Sequence, residues 1–149
     1  MAHPEIRPLT PPDIPALLAF LRALAAEDKG TIASTVETLT QAAFGPRSMI
    51  HALIAPHGMV IYYPDYSTHR GEPGLYIQDL YVAPAARGTG LARALVAATL
   101  THQTWGARYI TLGVSPDNHQ ALRFYQKTGF TLRGYEMMIR DGATLPDLP

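Results

Sequence analysis

The residues with most chemistry to offer lie in one short stretch, Pro84-Ala85-Ala86-Arg87-Gly88-Thr89-Gly90. It follows Leu75 to Ala83, a run rich in Tyr, Ile, Leu and Val that reads as a buried strand. Pro84 ends that strand because it has no backbone donor for a ladder. From about Gly90 an Ala/Leu-rich segment has strong helix propensity, with Leu91, Leu95 and Ala98 on one face and Ala94 beside them. Strand, glycine-bearing loop and helix start together form an anion site. The unpaired N–H groups and positive dipole end of a helix N-terminus hold phosphate without cationic side chains. Gly88 and Gly90 permit a tight turn and a close approach, and Arg87 can add charge at the rim. Leu91 after Gly90 excludes a Walker A loop. Arg93 at the third glycine position, and apolar residues at 110–114 where a ribose-binding acid belongs, exclude a dinucleotide fingerprint. An ordinary glycine turn before a helix remains open on these six residues alone.

Composition narrows the function. The 149 residues are 47% hydrophobic and 16% charged, which predicts one compact domain over 1–149, with a core at about 5–140 and a tail at 141–149. No apolar run approaches a membrane span, and MAHPEIRPLT lacks a signal-peptide core, so a cytoplasmic location is expected. The absence of cysteine excludes disulfides, a thiol nucleophile and a thiolate metal site. The six histidines show no metal-ligand spacing, so no metal is expected. Zero net charge argues against nucleic-acid or membrane binding. The charge is uneven: five Arg/Lys against eight Asp/Glu in 1–83, then seven against two in 84–140. That pattern suits an anionic ligand on the C-terminal half and a cationic one on the N-terminal half; unevenly solvated surface charge is the alternative.

In chain order, Ile6 to Leu9 reads as a strand, and Asp13 or Thr10 caps a helix to about Ala26. Ser34-x-x-Glu37 is a capping box for a second helix to Ala43. Met49 to Ala55 and Met59 to Tyr63 form a hairpin, Pro64 to Gly74 a polar loop, and the central strand follows. After the central helix come a strand at Tyr109 to Val114, a helix from His119 to Lys127 closed by Gly129, and a last strand from Phe130 to Ile139. Trp105 and Met137-Met138 read as core or interface. The whole is an α/β fold, a mixed, mostly antiparallel sheet with helices on both faces.

A second motif, Asn118-x-x-Ala121-x-x-x-Tyr125 followed by Gly129-Phe130, lies about 30 residues after the loop. Together with Arg87-x-x-Gly90-x-Ala92 after a strand, it resembles the two hallmarks of the GNAT N-acetyltransferases. The likeness covers roughly Ile6 to Arg140. Within that family the chain looks most like the diamine (spermidine/spermine-type) enzymes and relatives acting on thialysine. Ile6-Arg7-Pro8, Leu24-Ala25 with Glu27-Asp28, Phe44-Gly45, Ile61-Tyr62-Tyr63 and Leu75-Tyr76-Ile77-Gln78-Asp79-Leu80-Tyr81-Val82 carry that likeness. The chain departs from the diamine enzymes at Gln78, where they carry Glu, at Ser67, where they carry an acid, and at Ala92, where they carry Gly.

The resemblance implies a GNAT fold with a splayed central strand, acetyl-CoA as co-substrate, a small amine acceptor and a homodimer. The amides of Arg87, Gly88, Thr89, Gly90, Leu91 and Ala92 would hold the pyrophosphate, and the backbone of Leu80, Tyr81 and Val82 the pantetheine arm. Asn118 would bond the pantetheine amides, cap its helix, or do both. Tyr125 is the implied general acid; without the motif, a Tyr beside Phe124 on an amphipathic helix reads as core. Asp79 is the candidate base, a structural role in the strand being the alternative. Glu27 and Asp28 match the acidic pair facing a cationic substrate, or form a solvated helix end. Tyr66 and His69 would line the acceptor pocket, or belong to a surface loop. Other readings are an acceptor such as a protein N-terminus or an aminoglycoside, and a CoA-binding module without turnover.

Overall fold

The computed structural model describes residue 3 and residues 5–141. The tail expected at 141–149 lies, apart from Asp141, outside the described residues. By its contacts the chain divides into two compact units, one ending at Gly113 and the other beginning at Val114.

The first unit is a five-stranded sheet in the order β1-β2-β3-β4-β5. Its strands are β1 (Arg7–Pro8), β2 (His51–Ala55), β3 (Gly58–Ser67), β4 (Glu72–Val82) and β5 (Ile110–Leu112). The first four pair antiparallel, and β4 pairs β5 in parallel. Three helices belong to this unit: α1 (Ile14–Glu27), α2 (Val36–Phe44) and α3 (Leu91–His102).

Strand alternation divides the core. Ala52, Ile54, Met59 and Ile61 pack with Leu17, Leu18 and Leu21 of α1 and Leu39 of α2. Leu53, Ala55, Val60 and Tyr62 pack on the opposite face with Leu91 and Leu95 of α3. Both faces of the sheet are therefore covered, as the apolar runs require.

The register of β4 changes partway. Ile61 lies opposite Asp79 but Tyr62 lies opposite Ile77, so Gln78 is an extra residue, a β-bulge. Before it, Leu75 and Ile77 face the α3 side; after it, Leu80 and Val82 do. The one-residue slip turns Asp79 to the other face, alongside Tyr81, whose ring meets Phe20 of α1 at 5.8 Å.

Three local expectations are corrected. The polar loop expected at 64–74 is mostly strand, with Pro64 to Ser67 pairing Leu75 to Glu72. Pro64 is tolerated because β2 stops pairing at Tyr62, leaving that side of β3 free. The capping box of α2 is Thr35 with Thr38, each hydroxyl bonding the other's backbone N–H at 2.8 and 3.1 Å, one residue beyond Ser34 and Glu37. The last strand, Phe130 to Ile139, forms no ladder among the described residues. Gly134, at φ 75°, interrupts its extended run, and Met137 and Met138, expected in the core or an interface, are 84% and 95% exposed and so are not core. Trp105 packs against the α3-side core as expected, its Nε1 donating to Gly74 O at 2.8 Å.

The second unit contains α4 (His119–Lys127), capped by the Asn118 side chain, which accepts from Ala121 N–H at 3.1 Å. Gly129, at φ 100°, closes it, and Phe130 N–H returns to Tyr125 O at 2.9 Å.

Two stability measurements follow. Leu95 is fully buried against the sheet, so Leu95→Ala should lower the free energy of urea unfolding by about 2–5 kcal/mol. Asp13 accepts from both terminal nitrogens of Arg7, at 2.6 and 2.8 Å, and from Thr10 N–H and its hydroxyl, which holds its carboxyl well below the usual range. A folded-state pKa that is depressed contributes stability above the unfolded value of about 3.9, lost as pH falls through it. The urea midpoint should therefore drop on acidification, and Asp13→Asn should remove that part of the drop.

Candidate active site

In the first unit the site begins with an open strand edge. The β4–β5 pairing covers only Leu75 to Ile77, and among the described residues no strand flanks that side of β4 from Gln78 onward. Ala83 N–H donates to His57 O at 2.8 Å. Antiparallel alternation then commits the main chain of Tyr81 and Asp79 to β3 and turns that of Leu80 and Val82 to the open edge. Of the three residues expected to hold an extended ligand arm, Tyr81 is thus unable to do so through its backbone. Val82 O accepts from Arg87 Nε at 3.0 Å, and the N–H groups of Leu80 and Val82 remain to bind an added chain.

A 3-10 turn, Pro84–Ala86, leads from β4 into the loop. Gly88 and Gly90 both have positive φ, 81° and 86°, and a Cβ at Gly88 would meet nothing within 4 Å. Thr89 Oγ1 donates to Ala86 O at 2.5 Å, tying down the turn. The first helical bond runs from Ala94 N–H to Gly90 O. Among the described residues no acceptor faces the amides from Gly88 to Arg93. These are neutral donors at the start of a 12-residue helix, an arrangement with the chemistry to accept an anion.

Arg87 is less free than its position suggested. Its guanidinium bonds Val82 O, forms an ion pair with Glu27 at the end of α1 and lies 5.9 Å from the Tyr81 ring centroid. Glu27, expected to face a cationic substrate, is instead the partner of Arg87. Asp28, beside it, is exposed. Tyr66 stands on β3 opposite Pro73 and His69 in the hairpin turn, both exposed. Pro73 and Asp79 are six positions apart on β4, about 20 Å of extended strand, so neither Tyr66 nor His69 is brought beside Asp79.

Asp79 is half-buried, and burial pushes its pKa above the ordinary carboxylate value. Among the described residues its carboxylate has no hydrogen-bond partner, and Gln78 beside it accepts from Tyr63 O–H at 3.3 Å. The second unit carries the other candidates. Tyr125 lies between Phe124 and Phe130, ring centroids at 5.3 and 5.5 Å, and burial raises its phenol above 10. Among the described residues its hydroxyl has no hydrogen-bond partner, so it stays protonated and available to donate. Asn118 Oδ1 is engaged in the helix cap, leaving its NH₂ group for a ligand.

Two features were missed. The bulge had a signal: apolar positions move from the odd residues Leu75 and Ile77 to the even residues Leu80 and Val82. The Arg87–Glu27 pair, spanning 60 residues, had none.

Residues 15–130 match the family model described as Acetyltransferase (GNAT) family, and the chain belongs to that family. An uncharacterized N-acetyltransferase of Mycobacterium tuberculosis is 46% identical over 59 residues, 39% of this chain and 38% of the relative's own length. A thialysine N-epsilon-acetyltransferase of Bos taurus is 28% identical over 145 residues, 87% of this chain and 85% of its own. Among solved structures, an integron cassette protein from the mobile metagenome of V. cholerae superposes with a TM-score of 0.76 at 21% identity, covering 96% of this chain and 95% of its own. At that identity the likeness concerns the fold.

Glu27 and Arg87 are each 42% exposed, so the pair is screened by solvent. Glu27→Gln should change the unfolding free energy by about 1 kcal/mol or less; a much larger loss in urea titration would show that this pair holds the loop together.

Proposed function

We propose that this protein is an acetyl-CoA-dependent N-acetyltransferase whose acceptor is a small primary amine: a polyamine, a diamine or a lysine-like amino acid. The observation that carries the reading is the adjacency of two donor sets in one unit. The unpaired amides from Gly88 to Arg93 suit a pyrophosphate, and the open edge at Leu80 and Val82 suits an amide-bearing arm. When bound, acetyl-CoA supplies the acetyl thioester.

The residues account for the rest of the chemistry. An alkylammonium of pKa about 10.4 must lose a proton before attack, at roughly 4–5 kcal/mol at neutral pH. Asp79, with a raised pKa, is the proposed acceptor of that proton, directly or through water. The amine nitrogen bonds to the carbonyl carbon while a β4 N–H donates to the oxygen that gains charge. The carbon–sulfur bond breaks, and Tyr125 is the proposed donor to the departing sulfur. Its pKa, above that of an ordinary thiol near 8.5, makes it a hydrogen-bond donor whose full proton transfer is uphill unless the thiolate is also desolvated.

The amine class is supported by the residue pattern shared with the diamine enzymes and by the thialysine N-epsilon-acetyltransferase likeness along most of the chain. The resemblance to the diamine enzymes extends the proposal to a homodimer, tested by sedimentation. In a thiol-release assay with acetyl-CoA, selective turnover of spermidine, putrescine, lysine or thialysine supports the reading. Turnover only of an aminoglycoside or a peptide N-terminus would replace the acceptor, and CoA binding without turnover of any amine would leave a binding module. With the best amine, kcat/KM should rise with pH across neutrality as a growing fraction of the amine loses its proton. Tyr125→Phe should lower kcat about 100-fold while leaving CoA affinity unchanged.

A further inference from the structure

We infer that a shelf of tyrosines beside Asp79, formed by Tyr63, Tyr76 and Tyr109 and ending at Asp65, is a subsite for a second ammonium group of the acceptor, which makes that acceptor a linear polyamine and not a lysine-like amino acid. The inference rests on the acetyl-CoA reading above and gives specificity to residues outside both sequence motifs.

Strand alternation builds the shelf. Ile61 packs on the α1 side of the sheet, and from Tyr62 to Ser67 the pairing of β3 with β4 is regular. Tyr63 and Asp65 therefore share the face of Ile61, and their cross-strand partners Tyr76 and Gly74 share it with them. The register shift at Gln78 puts Asp79 on this face too, opposite Ile61. The α1-side core takes Met59, Ile61 and Tyr81 but neither Tyr63 nor Tyr76. Tyr63, Tyr76, Tyr109 and Asp65 are half-buried, so each keeps part of its surface open to solvent.

The rings are fixed by their neighbours. Those of Tyr63 and Tyr76 lie 5.2 Å apart between centroids, and Tyr63 O–H donates to Gln78 Oε1 at 3.3 Å. The Tyr109 ring fills the place a side chain on Gly74 would take, and a Cβ there would collide with it. Glycine at 74 thus lets the ring lie on the strand, where its hydroxyl donates to Asp65 Oδ2 at 2.7 Å.

Two carboxylates, Asp79 and Asp65, bracket this aromatic surface, and among the described residues neither forms an ion pair. Arg70, whose guanidinium carbon is 5.2 Å from the Tyr109 ring centroid, is matched by Glu72, which also pairs with Arg108. Burial raises the Tyr63 phenol above its ordinary value, and Tyr76, Asp65 and Asp79 add to the rise, so both carboxylates act on the middle of the shelf. Ring faces and uncompensated carboxylates attract an alkylammonium, and the rings also offer apolar contact to its methylene chain. The same charges repel the α-carboxylate that lysine and thialysine carry. Asp65 is four positions beyond Ile61 on β3, about 13 Å of strand from the pair that holds Asp79. Putrescine is too short for that span. An extended triamine such as spermidine matches it, with the nitrogen to be acetylated at Asp79 and the far ammonium at Asp65.

Steady-state thiol release from saturating acetyl-CoA by the full-length protein tests this. The amines are linear diamines from putrescine to diaminodecane, spermidine, the n-alkylamine of each length, and cadaverine against lysine. Once the chain reaches Asp65, kcat/KM for the diamine should exceed that for the matched monoamine about 10-fold, and cadaverine should exceed lysine. Asp65→Asn keeps an acceptor for Tyr109 and should lower the diamine-to-monoamine ratio about 5-fold, through KM and not kcat. Tyr76→Leu, which removes a ring of the shelf, should lower the ratio as well.

A ratio near one in the wild type, a ratio that Asp65→Asn leaves unchanged, or a preference for lysine over cadaverine would each overturn the inference while leaving acetyl transfer in place. An equal loss for diamine and monoamine in Asp65→Asn would make Asp65 a support for the reacting end, which also overturns it. If calorimetry shows CoA bound but no amine is turned over, the N-acetyltransferase reading itself fails, and this inference with it.

Discussion

The site depends on one constraint: past Ile77, the main chain of β4 has a strand partner on one side only. Backbone N–H and C=O groups must find partners, and an unpaired strand edge is a template for another extended chain. Here the edge is short, two outward N–H groups at Leu80 and Val82, and its far end runs into the glycine loop. One of its carbonyls, Val82 O, is satisfied by Arg87. What remains is a row of donors continued by the amides of the loop.

The bulge at Gln78 serves the same arrangement. Without the register shift at Gln78, strict alternation would leave Asp79 on the Leu75–Ile77 face, in the α3-side core, where a lone carboxylate is strongly disfavoured. With it, Leu80 and Val82 take up the apolar face and Asp79 moves to the α1 side, partly shielded from water, its pKa raised by that burial. A single backbone irregularity therefore both preserves the core and places a carboxylate of enhanced basicity in the strand that carries the free edge.

Much of this was legible because it is local. The strand–loop–helix pattern, the glycines at 88 and 90, the Asn118 cap and the Gly129 helix stop all depend on near neighbours in sequence, and the structure has each of them. Long-range pairing was not legible. Nothing in the chain indicated that Glu27 would meet Arg87. The strand expected at 130–139 failed for a related reason: alternation states which residues favour an extended conformation, whereas a strand also needs a partner ladder, and Gly134 breaks the run. Pro64 misled in the opposite sense, since a proline that ends a central strand is harmless on an unpaired side.

The most direct test of the central claim is amide hydrogen exchange of the full-length protein with and without CoA. The account predicts that CoA slows exchange at Leu80 and Val82 and at the amides from Gly88 to Arg93, while Tyr81, already bonded to β3, changes little. Binding of CoA with these amides unprotected, and protection elsewhere in the chain, would contradict it.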